Sequence, residues 1–408
     1  MIVNLKEQHC ENFLQSLHKE QWQEVRLGEV AEMNQKSIDK SYPHKIIQYL
    51  DTGSITNNKI ESLQLFDSAK LPSRAKRIVQ NNDIIYSLVR PIQRHFGFIK
   101  NPPENLIVST GFCVITTNNA ILDSKFLYYY LTLNEIIELL DMIAEASTSA
   151  YPAIRPFDIE NLTIPLPPLT IQQKIAEILS SFDDKIDLLH RQNKTLESLA
   201  LTLFRHYFID NPKRDEWEEV SLNSLCEITS SKRIFYSEYV EYGIPFYRSK
   251  EIIEFSKGNN PQNELFIDEN KYNDIANKFG VPQANDILLT SVGTLGIPYL
   301  VPKDKKFYFK DGNLTWFKNF KNITSLFLFY WFKSPQGKEK LDSIAIGSTQ
   351  QALTITALKA VNIHLPHTDI IRILNEQLNG IQNKIENNTK QIQNLQAMRD
   401  ILLKAIFE

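Results

Sequence analysis

Cysteine, glycine and long apolar runs are all scarce in this chain of 408 residues. Its 3 cysteines, Cys10, Cys113 and Cys226, stand apart without the paired spacing of a metal or redox motif, which fits a reducing cytoplasm. With only 13 glycines, the chain shows no glycine-rich loop that would cradle a nucleotide phosphate. The longest strongly apolar stretch, SLFLFYWF from Ser325 to Phe332, is far shorter than the roughly 20 residues that span a bilayer.

The amino terminus carries no apolar segment typical of a signal peptide, so we expect a cytoplasmic protein without a membrane partner. The length is enough for two or three domains with their own cores. Net charge is only −3, whereas proteins that bind nucleic acid are commonly basic. If this protein binds DNA, its positive charge must be gathered locally.

An internal repeat is present. The stretch TSAYPAIRPFDIENLTIPLP, beginning at Thr148, aligns with GSTQQALTITALKAVNIHLP, which begins at Gly347, at an offset of 347 − 148 = 199 positions. The same offset continues without a gap until Phe208 meets Phe407. The last part of each half has therefore kept its length, as expected of a tandem duplication.

Two shorter echoes precede this repeated tail. W.EV.L occurs at Trp22 and again at Trp217, and NDI occurs at Asn82 and again at Asn285. Chance similarity between two amphipathic helices is the simpler alternative, but it does not produce three echoes in the same order. The first part of each half has diverged with insertions and deletions, because its offset changes from one echo to the next.

Each half combines short β-type runs with a long helical tail. Runs such as DIIYSLV and KFYFKDGNLTWF are rich in β-branched and aromatic residues. The tails, from Leu169 to Phe208 and from Asp369 to Phe407, repeat apolar residues every three or four positions, which predicts helices with a coiled-coil seam on the order of 55–60 Å long. Asn193 would fix one register on that seam. The two helices can pack on each other or on a helix of another protein.

This arrangement resembles the specificity subunit of Type I restriction–modification enzymes. The resemblance covers the chain from Trp22 to Phe407 and is carried by both W.EV.L openings, the NDI turns and the two connectors ending in I.LP. The first connector departs from the pattern, because Thr148-Ser149-Ala150 stands where the second has Gly347-Ser348-Thr349.

The resemblance implies an α+β fold: two mixed α/β globular target recognition domains in tandem, separated by two long helices in an antiparallel intramolecular coiled coil, as a pseudo-twofold repeat. The expected boundaries are an amino-terminal segment (1–20), the first domain (21–168), a central helix (169–209), the second domain (210–366) and a carboxy-terminal helix (367–408). Each domain would read half of an asymmetric site in double-stranded DNA. Two modification subunits would dock on this chain, and two restriction subunits can join them. S-adenosylmethionine, ATP and Mg are expected on those partners, with no cofactor, metal or catalytic residue in this chain.

Positive charge is gathered in two segments. Residues 70–100 contain seven basic side chains and one acidic, an excess of 7 − 1 = +6, and residues 303–321 contain six lysines and two aspartates, 6 − 2 = +4; both can neutralise phosphates or be ordinary solvated faces. RPIQR follows a predicted strand, and Arg and Gln read guanine and adenine respectively. The candidate DNA contacts are Arg74, Lys76, Arg77, Arg90, Gln93, Arg94, Arg248, Lys250, Ser291, Thr294, Lys303, Lys305 and Lys306.

Three other functions fit parts of the sequence. NPPE, from Asn101 to Glu104, is similar to an adenine methyltransferase motif but lacks the aromatic residue that stacks on a flipped base. Glu104 with Asp123 and Lys125 could form a magnesium nuclease site, although Asp123 opens a predicted helix. A coiled-coil assembly scaffold that does not bind DNA remains the main alternative.

Overall fold

The computed structural model describes residues 13–15, 17–39, 41–146, 152–259, 261, 264–348 and 350–407. Cys10, most of the 1–20 segment, Thr148-Ser149-Ala150 and Thr349 lie outside these ranges. The chain divides into two compact units: unit 1 falls within Met1–Ile186 and Asn394–Glu408, and unit 2 within Asp187–Gln393. Each unit therefore contains part of both long helices. No described helix combines the length and the apolar character needed to cross a membrane.

Unit 1 is built on two four-stranded sheets and two two-stranded pairs. Its strands are β1 (Gln23–Arg26), β2 (Ala31–Met33), β3 (Ile46–Leu50), β4 (Ile55–Thr56), β5 (Lys59–Ile60), β6 (Gln64–Asp67), β7 (Ala75–Ile78), β8 (Ile84–Ser87), β9 (Phe96–Phe98), β10 (Leu106–Ser109), β11 (Phe112–Thr117) and β12 (Thr163–Leu166). The sheets have the orders β6-β3-β10-β7 and β2-β11-β8-β9, β4 and β5 form a hairpin, and β1 pairs with β12. Its shorter helices are α1 (Leu27–Val30), α2 (Ser124–Leu131), α3 (Asn134–Glu145) and α4 (Pro156–Glu160).

Unit 2 repeats this plan. Its strands are β13 (Glu218–Ser221), β14 (Glu227–Thr229), β15 (Tyr239–Val240), β16 (Ile244–Tyr247), β17 (Leu265–Ile267), β18 (Ile287–Thr290), β19 (Pro298–Leu300), β20 (Tyr308–Phe309), β21 (Leu314–Lys318) and β22 (Asn362–Leu365). The orders are β14-β21-β18-β19 and β15-β17-β16-β20, with β13 paired to β22. Its shorter helices are α6 (Leu222–Leu225), α7 (Ser249–Ser256), α8 (Glu269–Phe279), α9 (Ser325–Lys333), α10 (Pro335–Ile344) and α11 (Ile355–Lys359). The strand order of one sheet is the same in both units, since β14-β21-β18-β19 corresponds position by position to β2-β11-β8-β9. This correspondence confirms the tandem duplication.

The opening motif and the connector of each half are partners in one small antiparallel sheet. Val25 of the first W.EV.L lies opposite Ile164 of the first I.LP. Val220 lies opposite Ile363 in the same register. Two echoes that are far apart in the sequence therefore build a single element in each unit.

The long helices α5 (Leu169–Phe204) and α12 (Thr368–Phe407) run antiparallel. Within unit 2, Asn193 lies against Asn388, with 2.9 Å between Asn388 Nδ2 and Asn193 Oδ1, and Gln377 Nε2 lies 3.3 Å from Tyr207 Oη. Numbers therefore rise along α5 as they fall along α12. The expected intramolecular antiparallel pairing is confirmed, and Asn193 has its polar partner in the same chain.

Arg399 and Asp183 join the same two helices inside unit 1, with 2.6 Å between Arg399 Nη1 and Asp183 Oδ1. Tyr129 Oη of α2 donates to the other oxygen of that carboxylate at 2.6 Å. The three groups hold the helix pair against the globular part of unit 1. Here too the early part of α5 faces the late part of α12.

Candidate nucleic-acid interface

The segment from Arg90 to Arg94 is a tight turn between β8 and β9. Pro91–Gln93 form one turn of 3-10 helix, and the arginines at both ends adopt left-handed backbone angles, with φ of 46° and 57°. Such angles are uncommon for residues other than glycine and cost free energy. Arg90, Ile92 and Gln93 are exposed, so the strained turn displays two of the predicted base-reading side chains to solvent.

Contacts from three directions hold this turn. Arg90 N–H donates to Pro152 O at 3.1 Å, and Ile92 N–H donates to Asp141 Oδ1 of α3 at 3.2 Å. Arg94 Nη2 donates to Asn134 Oδ1 at 2.8 Å. Arg94 therefore braces the turn, whereas Arg90 and Gln93 face outward.

The other predicted basic residues of unit 1 lie on a different sheet. Arg74 and Lys76 are exposed at β7, which is an edge strand of the β6-β3-β10-β7 sheet. Arg77 is half-buried, and its Nη1 donates to Ser37 Oγ at 3.3 Å. The structure thus places the predicted basic contacts of segment 70–100 on two separate elements.

The equivalent turn of unit 2 follows β18 and is glycine-based. Gly293 is exposed with a φ of +79° and has no heavy atom within 4 Å of the position a Cβ would take, and Thr294 beside it is also exposed. Ser291, a predicted DNA contact, is buried. It is 2% exposed and its Oγ lies 2.7 Å from Thr315 Oγ1, because the residue that follows β18 points into the core.

The second connector lies alongside this glycine turn. Ala352 forms bridges with both Val292 and Ile346, and Gly293 N–H donates to Gln351 O at 3.2 Å. Gln350 and Gln351 are exposed beside the turn, a proximity that sequence reasoning left open. Position 347 needs glycine, because its φ is +96° and a Cβ there would lie 2.5 Å from Gln350 O.

Two of the predicted basic contacts in unit 2 have partners within the chain. Arg248 pairs with Glu251, with 2.5 Å between Nη2 and Oε1, and Glu251 is 1% exposed. The Lys305 ammonium lies 3.5 Å from the Phe255 ring centroid and 4.9 Å from that of Tyr247. Burial in this aromatic pocket lowers the pKa of Lys305 to about 8.

The other three lysines predicted as contacts in unit 2 are accessible. Lys250 in the first turn of α7 and Lys303 are exposed. Lys306 Nζ lies 2.8 Å from Glu269 Oε1, with both side chains about half exposed. A surface ion pair of this kind contributes little to stability, so Lys306 can exchange its partner for a phosphate.

The aspartate of each NDI motif closes the turn before β8 or β18. Asp83 accepts from Gln80 N at 2.8 Å and from Thr116 Oγ1 at 2.7 Å. Asp286 accepts from Gln283 N and Trp316 Nε1, both at 2.8 Å. Burial raises the pKa of both carboxyl groups. Their contacts fix the strand from which each exposed turn emerges.

Both halves of the chain match the family described as Type I restriction modification DNA specificity domain, over residues 19–198 and 214–397. The chain belongs to this family. Over 202 residues it is 34% identical to the Type I restriction enzyme HindI specificity subunit of Haemophilus influenzae, an alignment that spans 49% of this chain and 44% of that protein. It is 26% identical to the MjaVIII specificity subunit of Methanocaldococcus jannaschii, over 100% of this chain and 97% of that protein.

A solved structure of the same class gives the same fold. The S subunit of a Type-I restriction-modification system from M. genitalium aligns with a TM-score of 0.54 at 17% identity, covering 95% of this chain and 96% of that one. At this identity the likeness shows the fold alone. The chain is thus a Type I specificity subunit by family, with two DNA-recognition domains.

Of the side chains that suggested catalysis, Asp123 has a structural role in this specificity subunit. Asp123 caps α2, since its Oδ1 accepts from Lys125 N and Phe126 N at 3.0 Å each. Glu104 accepts a hydrogen bond at its backbone oxygen from Tyr42, in an exposed turn. Within the described ranges, no three His, Cys, Asp or Glu side chains are grouped to hold a metal ion.

Proposed function

We propose that this chain is the sequence-reading subunit of a Type I restriction–modification complex and that each unit reads one half of a bipartite, asymmetric DNA site. The observation that carries the proposal is a shared strand framework with unlike turns at one position. Unit 1 has Arg90, Ile92 and Gln93 after β8, whereas unit 2 has Gly293 and Thr294 after β18. Different turns on one scaffold are what two copies need in order to recognise different ligands.

The exposed groups suit the chemistry of base edges. Arginine makes two hydrogen bonds to guanine and glutamine two to adenine, so Arg90 and Gln93 can read adjacent base pairs. In unit 2 the bare backbone at Gly293 permits close approach to DNA, and the exposed Gln350 and Gln351 supply amide groups beside it. Lys250 and Lys303 would contact phosphates and position the unit without reading sequence.

We further propose that the paired helices set the spacing of the half-sites and carry two modification subunits. The 36 residues of α5 correspond to about 54 Å at 1.5 Å per residue, which exceeds one turn of DNA, about 34–36 Å. Catalysis, with S-adenosylmethionine, ATP and Mg, is assigned to the modification subunits and to any restriction subunits that join them. This chain supplies recognition.

Arg90→Ala in the complex assembled with the modification subunits tests this function. We expect a loss of at least tenfold in affinity for the cognate site, about 1.4 kcal/mol, because a bidentate contact to a base is removed. Arg26→Ala, which changes an exposed arginine on β1, is the matched control and should bind like wild type.

Methylation assays separate the proposed function from its alternatives. We expect no methyl transfer by this chain alone and site-specific adenine methylation once a modification subunit is added. Unchanged binding by Arg90→Ala would reject that residue only. A complex that forms but does not prefer any DNA sequence would reject the proposed function in favour of a scaffold.

A further inference from the structure

A short hairpin in unit 1, β4 to β5, lies beside the Arg90–Arg94 turn. Ile55 and Thr56 pair with Ile60 and Lys59. The two turn residues have positive φ values, 48° at Asn57 and 64° at Asn58, as a type I′ hairpin requires. Asn57, Asn58 and Lys59 are all exposed, so the hairpin presents two amides and a cation to solvent.

Backbone hydrogen bonds join the hairpin to the arginine turn and to β9. Asn57 N–H donates to Arg94 O and Asn58 N–H donates to Phe96 O, each at 2.9 Å. The Asn58 side chain accepts from Phe98 N at 2.7 Å. The Asn58 side chain thus holds the hairpin in place, whereas Asn57 contacts the end of the arginine turn only through its backbone.

His95 adds a further link between these segments. Its Nδ1 lies 2.5 Å from Ile55 O, and because a carbonyl oxygen can only accept, this ring nitrogen carries the proton. The hairpin and the Arg90–Arg94 turn are therefore fixed to each other across residues 94–98. A ligand that contacts Arg90 and Gln93 meets Asn57 on the adjoining segment.

The base of the hairpin is anchored in the core. Ile55 is 1% exposed and approaches β9 at Gly97, where a Cβ would lie 2.5 Å from Ile55 Cδ1 and 3.1 Å from Asn58 Oδ1. A Cβ at position 97 would force the Ile55 and Asn58 side chains to shift from these contacts. A rigid support of this kind is what an element needs to position a contacting side chain accurately.

Unit 2 has a different element in the equivalent place. The hairpin follows β3 in unit 1, whereas α7 follows β16, the matching strand of unit 2. This helix also packs towards the strand after the exposed turn, since Phe255 stacks on Tyr299 of β19 at a centroid distance of 5.4 Å. At this position the duplicated framework thus carries a hairpin in unit 1 and a helix in unit 2.

We propose that the β4–β5 hairpin is a second sequence-reading element of unit 1, with Asn57 as a specificity-determining residue and Lys59 as a phosphate contact. The proposal rests on the function proposed above. Asparagine pairs with adenine through its N6 and N7 atoms, and lysine is a sequence-independent phosphate ligand. The hairpin and the Arg90–Arg94 turn would together read one half-site.

Asn57→Asp tests the reading role while keeping the shape and a residue tolerant of positive φ. The aspartate cannot donate to adenine N7 and would be repelled by phosphates. In the complex with modification subunits, we expect at least a tenfold loss of affinity for the cognate site. Discrimination should change at one base pair of one half-site and remain unchanged in the other half.

Asn101→Asp is the matched control, because Asn101 is another exposed asparagine of unit 1 with positive φ. It should retain wild-type affinity within about twofold, on the general scale of surface substitutions. Lys59→Gln should weaken binding to all sequences equally and reduce the slope of log K against log salt by about 1. Circular dichroism of each variant checks that the fold is intact.

The possible results distinguish a failure of this proposal from a failure of the proposed function on which it rests. If Asn57→Asp leaves affinity and discrimination unchanged while Arg90→Ala weakens binding, the hairpin is only a support and the inference is wrong. If Asn57→Asp and Asn101→Asp weaken binding equally, the effect is one of added charge and the inference is again wrong. Absence of sequence preference in the wild-type complex would reject the proposed function itself.

Discussion

The buried aspartates of the two NDI turns occupy equivalent positions in the two units, so the effect of one substitution can be compared between them. Asp83 is 2% and Asp286 is 7% exposed, and each accepts two hydrogen bonds. The second donor differs: it is the Thr116 hydroxyl in unit 1 and the Trp316 indole N–H in unit 2. A hydroxyl both donates and accepts, whereas an indole N–H only donates.

Substitution by asparagine should therefore have unequal effects. At position 83 the new amide can accept from Gln80 N and donate to Thr116 Oγ1, so no hydrogen bond is lost. At position 286 both neighbours donate, and the new NH2 group must face one of them without a bond. Leaving a buried donor unsatisfied costs about 1–3 kcal/mol. We expect Asp286→Asn to destabilise unit 2 by about that amount and Asp83→Asn to change unit 1 by less than about 0.5 kcal/mol.

Hydrogen exchange read by mass spectrometry is the appropriate assay, because it reports opening free energies segment by segment. Peptides from β18 and β21 report on unit 2, and peptides from β8 and β11 report on unit 1. Equal protection losses in the two variants would refute the reasoning, as would a larger loss for Asp83→Asn.

The pH dependence adds a second measure. Burial raises the folded pKa of both carboxyl groups above the ordinary value of 3.8. Each group's contribution to stability is therefore complete below that value and is lost as pH rises through the folded pKa. Both asparagine variants should lack this gain in stability at acidic pH. A variant that keeps the wild-type pH dependence of stability would show that its aspartate is not the cause.

Two further predictions concern unit 2. Burial lowers the pKa of Lys305 from 10.5 to about 8, so its contribution to stability is present above pH 10.5 and is lost as pH falls through about 8. Lys305→Met should therefore remove the change of thermal stability with pH across that window. Parallel curves of melting temperature against pH for the wild type and the variant would contradict this. Asn193→Ala should cost about 1–3 kcal/mol, because the buried Asn388 amide loses its 2.9 Å bond to Asn193 Oδ1 and keeps only the 3.5 Å contact with Gln192 Oε1. The double variant Asn193→Leu/Asn388→Leu should recover stability in urea titrations, and additive losses would exclude the coupling.

The long-range plan of the molecule could be predicted because it repeats. An apolar seam with steps of three and four residues predicts a helix from local sequence alone, and the constant offset showed that two such helices match. Asn193 was recognised as a polar interruption of the seam, and the structure supplies Asn388 as its partner. The equal lengths and matching seams of the two helices favour their pairing within one chain.

Side-chain orientation could not be predicted in the same way. Ser291 follows a strand as Arg90 does, yet it turns inward to Thr315, because strand alternation is lost where a turn begins. Counting charges placed Lys305 on a basic face, but rings from β16, α7 and β19 surround its ammonium. Those rings come from three separate elements, and no local pattern indicates that they meet.

The opening motif and the repeated tail meet in one recurring junction. In unit 2, Trp217 of the opening motif stacks on Phe208 at the end of the first repeated tail, with centroids 5.7 Å apart. In unit 1, Trp22 meets Phe407 at the end of the second tail, at 6.5 Å. Each tail thus closes the core of the unit whose opening motif it contacts, and a change in one repeated part must be matched in the others. The exposed turns and the elements after β3 and β16 lie outside this junction. They can change without disturbing it, which explains how one duplicated framework has come to carry different exposed elements in its two units.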